Sequence, residues 1–189
     1  MKNIILASSS PQRKRLLTQM GYKFKAIPSE YEERWDKTKT IKENAKLFAW
    51  NKALDIFEKH KNSIVIGCDT FVVHPENGVY LKPKDKNEAK KMLKSYSNET
   101  IEVISGISVI SSTFERTKCL KTKIIFSKIE DDEIEWWLGQ NEWQGRSGAF
   151  SIEGATMCFV KGVKGCFFNI IGLPTQVLSE ILKSMINEE

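Results

Sequence analysis

A chain of 189 residues, 41% hydrophobic and 28% charged, has enough apolar material for one sizeable core and the polar surface of an ordinary globular protein. Its 29 basic and 24 acidic residues leave a net charge of +5, carried by scattered lysines, which favours anionic ligands and argues against a nucleic-acid stripe. No apolar run approaches membrane-spanning length and the N-terminal run is too short for a signal peptide; with no C-x-x-C pair and two histidines, the four cysteines read as free thiols in a reducing cytoplasm, not as a zinc cluster.

The run Ile4-Ile5-Leu6-Ala7 predicts a buried strand. Ser8-Ser9-Ser10-Pro11 follows, with Ser10 suited to cap a helix and Pro11 to its first turn. Leu16, Leu17 and Met20 give that helix an apolar side, and Gly21 a stop. Arg13, Lys14 and Arg15 then sit near a helix N-terminus, where free N–H groups, hydroxyls and cations suit an anion such as phosphate; a plain capped helix with solvated basic residues fits the same pattern. A short strand is expected at Phe24–Ile27. The acidic segment Pro28–Glu33 that follows reads either as a solvated loop or as a metal-binding edge.

A long helix is predicted over Thr38–Lys61, with Thr40 and Glu43 spaced as a capping box. Lys52 shares a face with Ala45, Ala49 and Ile56, so it must either snorkel from the stripe edge or meet an anion. Ser63–Val73 predicts a central strand buried on both faces, with Asp69 in its middle. Unpaired burial of a carboxylate is too costly, so Asp69 must be satisfied by hydrogen bonds or open to a cleft, where it could bind a cation or act as a base. Glu76-Asn77-Gly78 predicts a hairpin turn leading to Val79–Pro83, with Lys82 extended before the proline. Asn87–Tyr96 predicts an amphipathic helix with Ala89, Met92, Leu93 and Tyr96 inward.

Thr100–Ser111 and Thr113–Ser127 read as partner strands, and Asp131–Leu138 as a helix on which one of Trp136 and Trp137 packs while the other lies at an interface. Trp143–Ala155 is punctuated by glycines. A strand is expected at Met157–Lys161, a turn at Gly162–Gly165 and a last helix at Thr175–Met185. With no internal repeat or linker, residues 1–189 read as one domain.

Several stretches, in order, resemble the motifs of the Maf family of nucleoside triphosphate pyrophosphatases. They are Ala7–Arg13, Glu33, Asn51-Lys52-Ala53, Gly67–Val72, Leu81-Lys82-Pro83, Gly148–Gly154 and Asn169–Pro174. The resemblance implies an α/β fold of the Maf/ITPase type, an elongated mixed sheet flanked by helices with two lobes around a deep nucleotide cleft. It implies hydrolysis of a nucleoside triphosphate to monophosphate and pyrophosphate with magnesium or manganese. By position, Asp69, Lys52 and Lys82 would be catalytic; Ser9, Arg13, Thr70 and Glu153 would bind substrate; Glu33 and Asp69 would hold the metal. Asp69 would also orient or deprotonate the attacking water. This suits a reaction that needs positioning and positive charge more than covalent chemistry.

The chain departs from the family pattern at three places: Gln12-Arg13-Lys14 replaces paired arginines, Leu81 stands where glycine is usual, and Glu153 where the dTTP/UTP subgroup has glutamine. Glu153 resembles the subgroup acting on 7-methyl-GTP, whereas Arg13 and the Asp69-Thr70 pair resemble the pyrimidine subgroup. A pyrimidine or modified-nucleotide pyrophosphatase is the first reading, and a 7-methyl-GTP enzyme or a non-catalytic nucleotide-binding regulator of cell division the alternative. The expected partner is the triphosphate, not a membrane or nucleic acid; a homodimer is left open.

Overall fold

The structure is a computed structural model that describes residues 3–188, with the side chains of 186–188 left aside. The first half of the chain forms β1 (Asn3–Leu6), α1 (Pro11–Gln19), β2 (Phe24–Ala26), α2 (Ile41–Lys59), β3 (Ser63–His74), β4 (Gly78–Tyr80) and α3 (Lys86–Ser95). The second half forms β5 (Thr100–Ile110), β6 (Glu115–Phe126), α4 (Asp131–Gly139), β7 (Val160–Lys164), α5 (Phe167–Ile171) and α6 (Thr175–Glu188). The strands build one seven-stranded mixed sheet in the order β2-β1-β3-β5-β6-β7, with β4 on β3. The expected α/β architecture of a mixed sheet flanked by helices is the one observed. The chain divides into two compact units, and the division falls inside β3, β5 and β6.

The first unit comprises Met1–Thr70, Ile104–Leu120 and Gly172–Glu189. Here β1 pairs in parallel with both β2 and β3, in the register Leu6↔Ala26 and Leu6↔Ile66. Parallel neighbours need a crossover, and α1 and α2 supply it. The carboxyl ends of β1 and β2 and the part of β3 beyond Ile66 therefore come to one edge. Ligand sites of open parallel sheets form at such an edge. The predicted caps hold: Ser10 Oγ accepts the Arg13 N–H at 3.4 Å, with Pro11 in the first turn. Thr40 and Glu43 form the reciprocal capping box, so α2 starts at Ile41, not Thr38.

Two glycines let α2 lie on the sheet. A Cβ at Gly67 would stand 2.1 Å from the Ala49 carbonyl oxygen, and one at Gly106 would stand 1.9 Å from that of Ala45. Ala45, Ala49 and Ala53 are fully buried in this contact. Any larger side chain at either glycine would push the helix from the sheet, and Lys52 with it.

The second unit comprises Phe71–Val103 and Lys121–Ile171. Its core gathers Met92 and Leu93 of α3, Tyr96 at the C-cap of that helix, Ile134 and Trp137 of α4, and Phe126 and Phe150. Tyr96 stacks on Phe126 with centroids 5.1 Å apart and meets Phe150 edge-on, as aromatic quadrupoles prefer. Its hydroxyl donates to the Gly148 carbonyl at 2.7 Å. The predicted hairpin turn joins β3 to β4, and Gly78 there takes φ +73. Trp137 is fully buried, as expected of one tryptophan of the pair, and Trp136 is 50% exposed.

Two expectations fail near the C-terminal end. The strand expected at Met157–Lys161 is a 3₁₀ helix over Ala155–Phe159 followed by β7, and Gly162, expected in a turn, is a strand residue paired with Ile125. The apolar run at 157–160 carries too weak a period to separate a short helix from a strand. Phe167–Ile171, where no separate element is predicted, forms the short helix α5. The four cysteines are free, as expected. Among the described residues, no helix is long and apolar enough to cross a membrane.

Candidate active site

Two polar clusters occupy the first unit, at the edge where β1, β2 and β3 deliver their chains. The first surrounds Arg13. Its Nε donates to the Gly172 carbonyl at 2.9 Å, Nη1 to Ser8 Oγ at 3.2 Å and Nη2 to Thr70 Oγ1 at 3.2 Å. Arginine carries five N–H donors in a planar fork, so two remain for an anion. Thr70 Oγ1 also lies 2.9 Å from the fully buried Ser105 Oγ and 3.4 Å from the Gly172 oxygen. Donating to Gly172 and accepting from Arg13 and Ser105 would use all its capacity. The Gly172 carbonyl accepts from Cys68 Sγ as well, at 3.2 Å. This turn needs glycine, because Gly172 takes φ +114. Ser9 sits exposed in the β1–α1 turn, whereas its neighbour Ser8 is buried and holds both Arg13 and the Ser10 N–H.

The second cluster is an ion triad. Lys52 Nζ lies 2.5 Å from Asp69 Oδ1 and 2.5 Å from Glu33 Oε1. The Lys52 and Asp69 side chains are 14% and 9% exposed. This answers the alternatives for both residues: the buried carboxylate is satisfied, and the lysine on the apolar helix meets anions. Burial drives the Asp69 carboxyl above its ordinary value, although Lys52, and then Arg13, pull it down. Tyr31 stands nearby, its phenol raised first by burial and then by the charge of Glu33.

Glu33 reaches the triad from the long segment between β2 and α2, which has no regular structure over residues 27–36. The acidic residues there are not a uniformly solvated edge: Glu30 pairs with Lys59, Glu32 with Arg34, and Glu33 with Lys52. Four partners of this segment escaped the sequence reading, namely Asn44, Phe48, Asp55 and Lys59 on α2. Helical spacing from Lys52 was the one signal that could have found them.

Two carboxylates on one ammonium leave a net negative charge in a half-dry place. Hard oxygen donors with surplus negative charge suit magnesium or manganese, which take few protein carboxylates and complete their shells with phosphate and water. Among the described residues no three acidic, histidine or cysteine side chains group as a metal site; Glu33 and Asp69 are two carboxylates that meet at Lys52.

The remaining sequence candidates lie in the second unit. Lys82 is exposed in the segment after β4 and makes no ion pair among the described residues. Glu153 is exposed in the turn before the 3₁₀ helix at Ala155–Phe159. Glu142 Oε2 occupies the space beside Gly154, 1.7 Å from where a Cβ would stand, so that glycine makes room for a carboxylate.

The family model described as Maf-like protein matches residues 3–185. The chain is 36% identical over 188 residues to the dTTP/UTP pyrophosphatase of Ruminiclostridium cellulolyticum, covering 98% of this chain and 97% of that one. It is 37% identical to the dTTP/UTP pyrophosphatase of Pyrococcus furiosus, covering 97% and 95%, and 36% identical to that of Geobacillus sp., covering 92% and 93%. With a match of this extent, and with the motif residues Arg13, Lys52, Asp69 and Gly172 brought together at one edge of a single unit, the chain belongs to the Maf family.

Proposed function

We propose that this chain hydrolyses a nucleoside triphosphate to the nucleoside monophosphate and pyrophosphate, with dTTP and UTP as its substrates and a magnesium or manganese ion held by Glu33 and Asp69. The observation that carries this reading is the Lys52 ammonium between those two carboxylates, in the same unit as an Arg13 fork with two donors to spare. The names of the relatives supply the nucleotides.

Water adds across the anhydride between the α and β phosphates. Its oxygen bonds to phosphorus, the bridging oxygen leaves with pyrophosphate, and the proton passes to Asp69. Lys52 fixes the orientation of Asp69 and offsets the charge that develops on the phosphates. Arg13 grips a phosphate with its free N–H groups; Ser8, Thr70 and Gly172 hold the fork in place, and the exposed Ser9 hydroxyl supplies a further donor. By its place in the Leu81-Lys82-Pro83 motif, Lys82 would supply a third cation for the polyphosphate. A divalent ion at Glu33 and Asp69 would neutralise phosphate charge and polarise the phosphorus–oxygen bonds.

Glu153 bears on the base. A carboxylate only accepts hydrogen bonds, and guanine offers it more N–H donors than uracil or thymine does. Glu153→Gln is therefore expected to raise dTTP and UTP rates relative to guanine triphosphates. An unchanged ratio would mean that Glu153 does not read the base. The test of the whole reading is pyrophosphate release from a panel of triphosphates with magnesium. The expected result is fastest release from dTTP and UTP; binding without release across the panel would overturn it in favour of a regulator.

A further inference from the structure

The segment that carries Glu33 has no hydrogen-bonded ladder of its own, so something else must hold its carboxylate against Lys52. Both ends of the segment are tied to α2. At the near end, Asp55 Oδ2 accepts from Ser29 Oγ and from the Glu30 N–H, each at 2.8 Å. Asp55 Oδ1 meets Lys59 at 3.0 Å, and Lys59 meets Glu30 at 3.0 Å. At the far end, the fully buried Asn44 accepts the Asp36 N–H at 3.0 Å and donates to the carbonyls of Asp36, Lys39 and Thr40. Between the two, Tyr31 and Trp35 both meet Phe48 edge-on, with centroids 6.1 and 6.2 Å away.

Residues 44, 48, 52 and 55 follow at steps of four, four and three, so they form one stripe on the helix. It runs beside the alanine stripe that seats α2 on the sheet. The helix residue that receives Glu33 therefore stands in the row of residues that fix the segment delivering Glu33.

We propose that Asp55 is a positioning residue of the hydrolytic site: by tying Ser29 and Glu30 to α2, it sets the reach of Glu33 to Lys52. The proposal rests on the reading that Glu33 works in that site. A loop released at one end keeps its fold but samples many positions of the carboxylate, and misplacement of about an ångström costs roughly a hundredfold in rate. A substituted outer partner costs a site about ten- to a hundredfold.

The test is a double-mutant cycle on kcat/KM for dTTP with magnesium, using Asp55→Ala, Glu33→Ala and the double variant, with thermal midpoints measured for each. Asp55→Ala is expected to lower kcat/KM at least about tenfold in the native background and not at all in the Glu33→Ala background, while lowering the thermal midpoint equally in both. Asp55→Asn keeps an oxygen for Ser29 and Glu30 and is expected to restore most of the rate. An Asp55→Ala loss of equal size in both backgrounds, or no loss in the native one, would overturn the proposal. A Glu33→Ala variant with unchanged kcat/KM would instead overturn the reading beneath it. If Asp55→Ala does not fold, Ser29→Ala carries the same cycle, with Asp55→Asn as the variant expected to keep the rate. A loss in Ser29→Ala that persists without Glu33 counts against the proposal.

Discussion

A lysine and an aspartate meet at two depths in this molecule. In the first unit Lys52 meets Asp69 with side chains 14% and 9% exposed; in the second, Lys94 meets Asp131 at 2.7 Å with 45% and 74% exposed. The two carboxyls shift in opposite directions. Burial lifts Asp69 in spite of its lysine, whereas the hydrogen bond from Lys94 lowers Asp131. Depth decides the sign, because removing a carboxylate from water penalises its charge more than one ammonium returns. The buried pair holds a carboxylate whose ionisation burial opposes. The exposed pair, with its neighbours Lys90 and Glu135, is a solvated surface that contributes little.

The contrast can be broken most directly at the two aspartates. Asp69→Asn is expected to cost roughly 10²- to 10⁴-fold in turnover with the fold retained, the range for a lost acid–base group. Asp131→Asn is expected to leave turnover unchanged. Equal rates in the two variants, measured by pyrophosphate release, would remove the distinction between them.

The same contrast exists between neighbours on α1. Arg13 is tied to Ser8, Thr70 and Gly172, while Lys14 offers only its backbone to Thr18 and Ser10 among the hydrogen bonds of that turn. Arg13→Ala should raise KM for the triphosphate about ten- to a hundredfold, the worth of charge-assisted hydrogen bonds. Lys14→Ala should change it about twofold or less. Comparable effects would mean that the fixed fork is not what holds the phosphate.

The smallest expected effect sharpens the exposed side. The Asp36 carboxyl is lowered from 3.8 to about 2, first by the hydrogen bond from Lys39 and then by those from Thr38. Its folded value lies below its unfolded one, so its contribution is present above the ordinary carboxylate range and lost as the pH falls through about 2. The denaturation midpoints of the native chain and of Asp36→Asn should therefore differ slightly at pH 6 and converge near pH 2. A difference that persists in acid would assign the effect to something other than this charge.

Much of the first unit was legible locally. A four-residue apolar run, a serine cap and a proline give β1 and α1, and Thr40 with Glu43 starts α2. Each signal lies within a few residues, where propensity and capping act. The region around residues 155–165 was not legible, because a short apolar run fits a 3₁₀ turn as well as a strand, and only pairing with β6 assigns Gly162 to a ladder. Asp55, and the partners that Gly172 holds, escaped for another reason. These contacts span 25, 26 and 159 positions, and a polar residue in a helix or a glycine in a turn looks the same in the sequence whatever it holds.

What the sequence determined by itself is a conflict at two residues: a lysine on an apolar helical stripe and an aspartate inside an apolar strand. Either alone would be costly to bury, so each had to find a partner or a ligand. That they find each other was decided by the tertiary structure. Gly67 and Gly106 let α2 descend onto the sheet far enough for Lys52 to reach Asp69. The segment tied to Asp55 and Asn44 then brings in Glu33 as a second carboxylate, which makes the cluster negative. Side-chain chemistry and periodicity are written residue by residue. The depth of a charge, and hence its proton affinity, depends on how closely distant backbones pack, which no local stretch of sequence records.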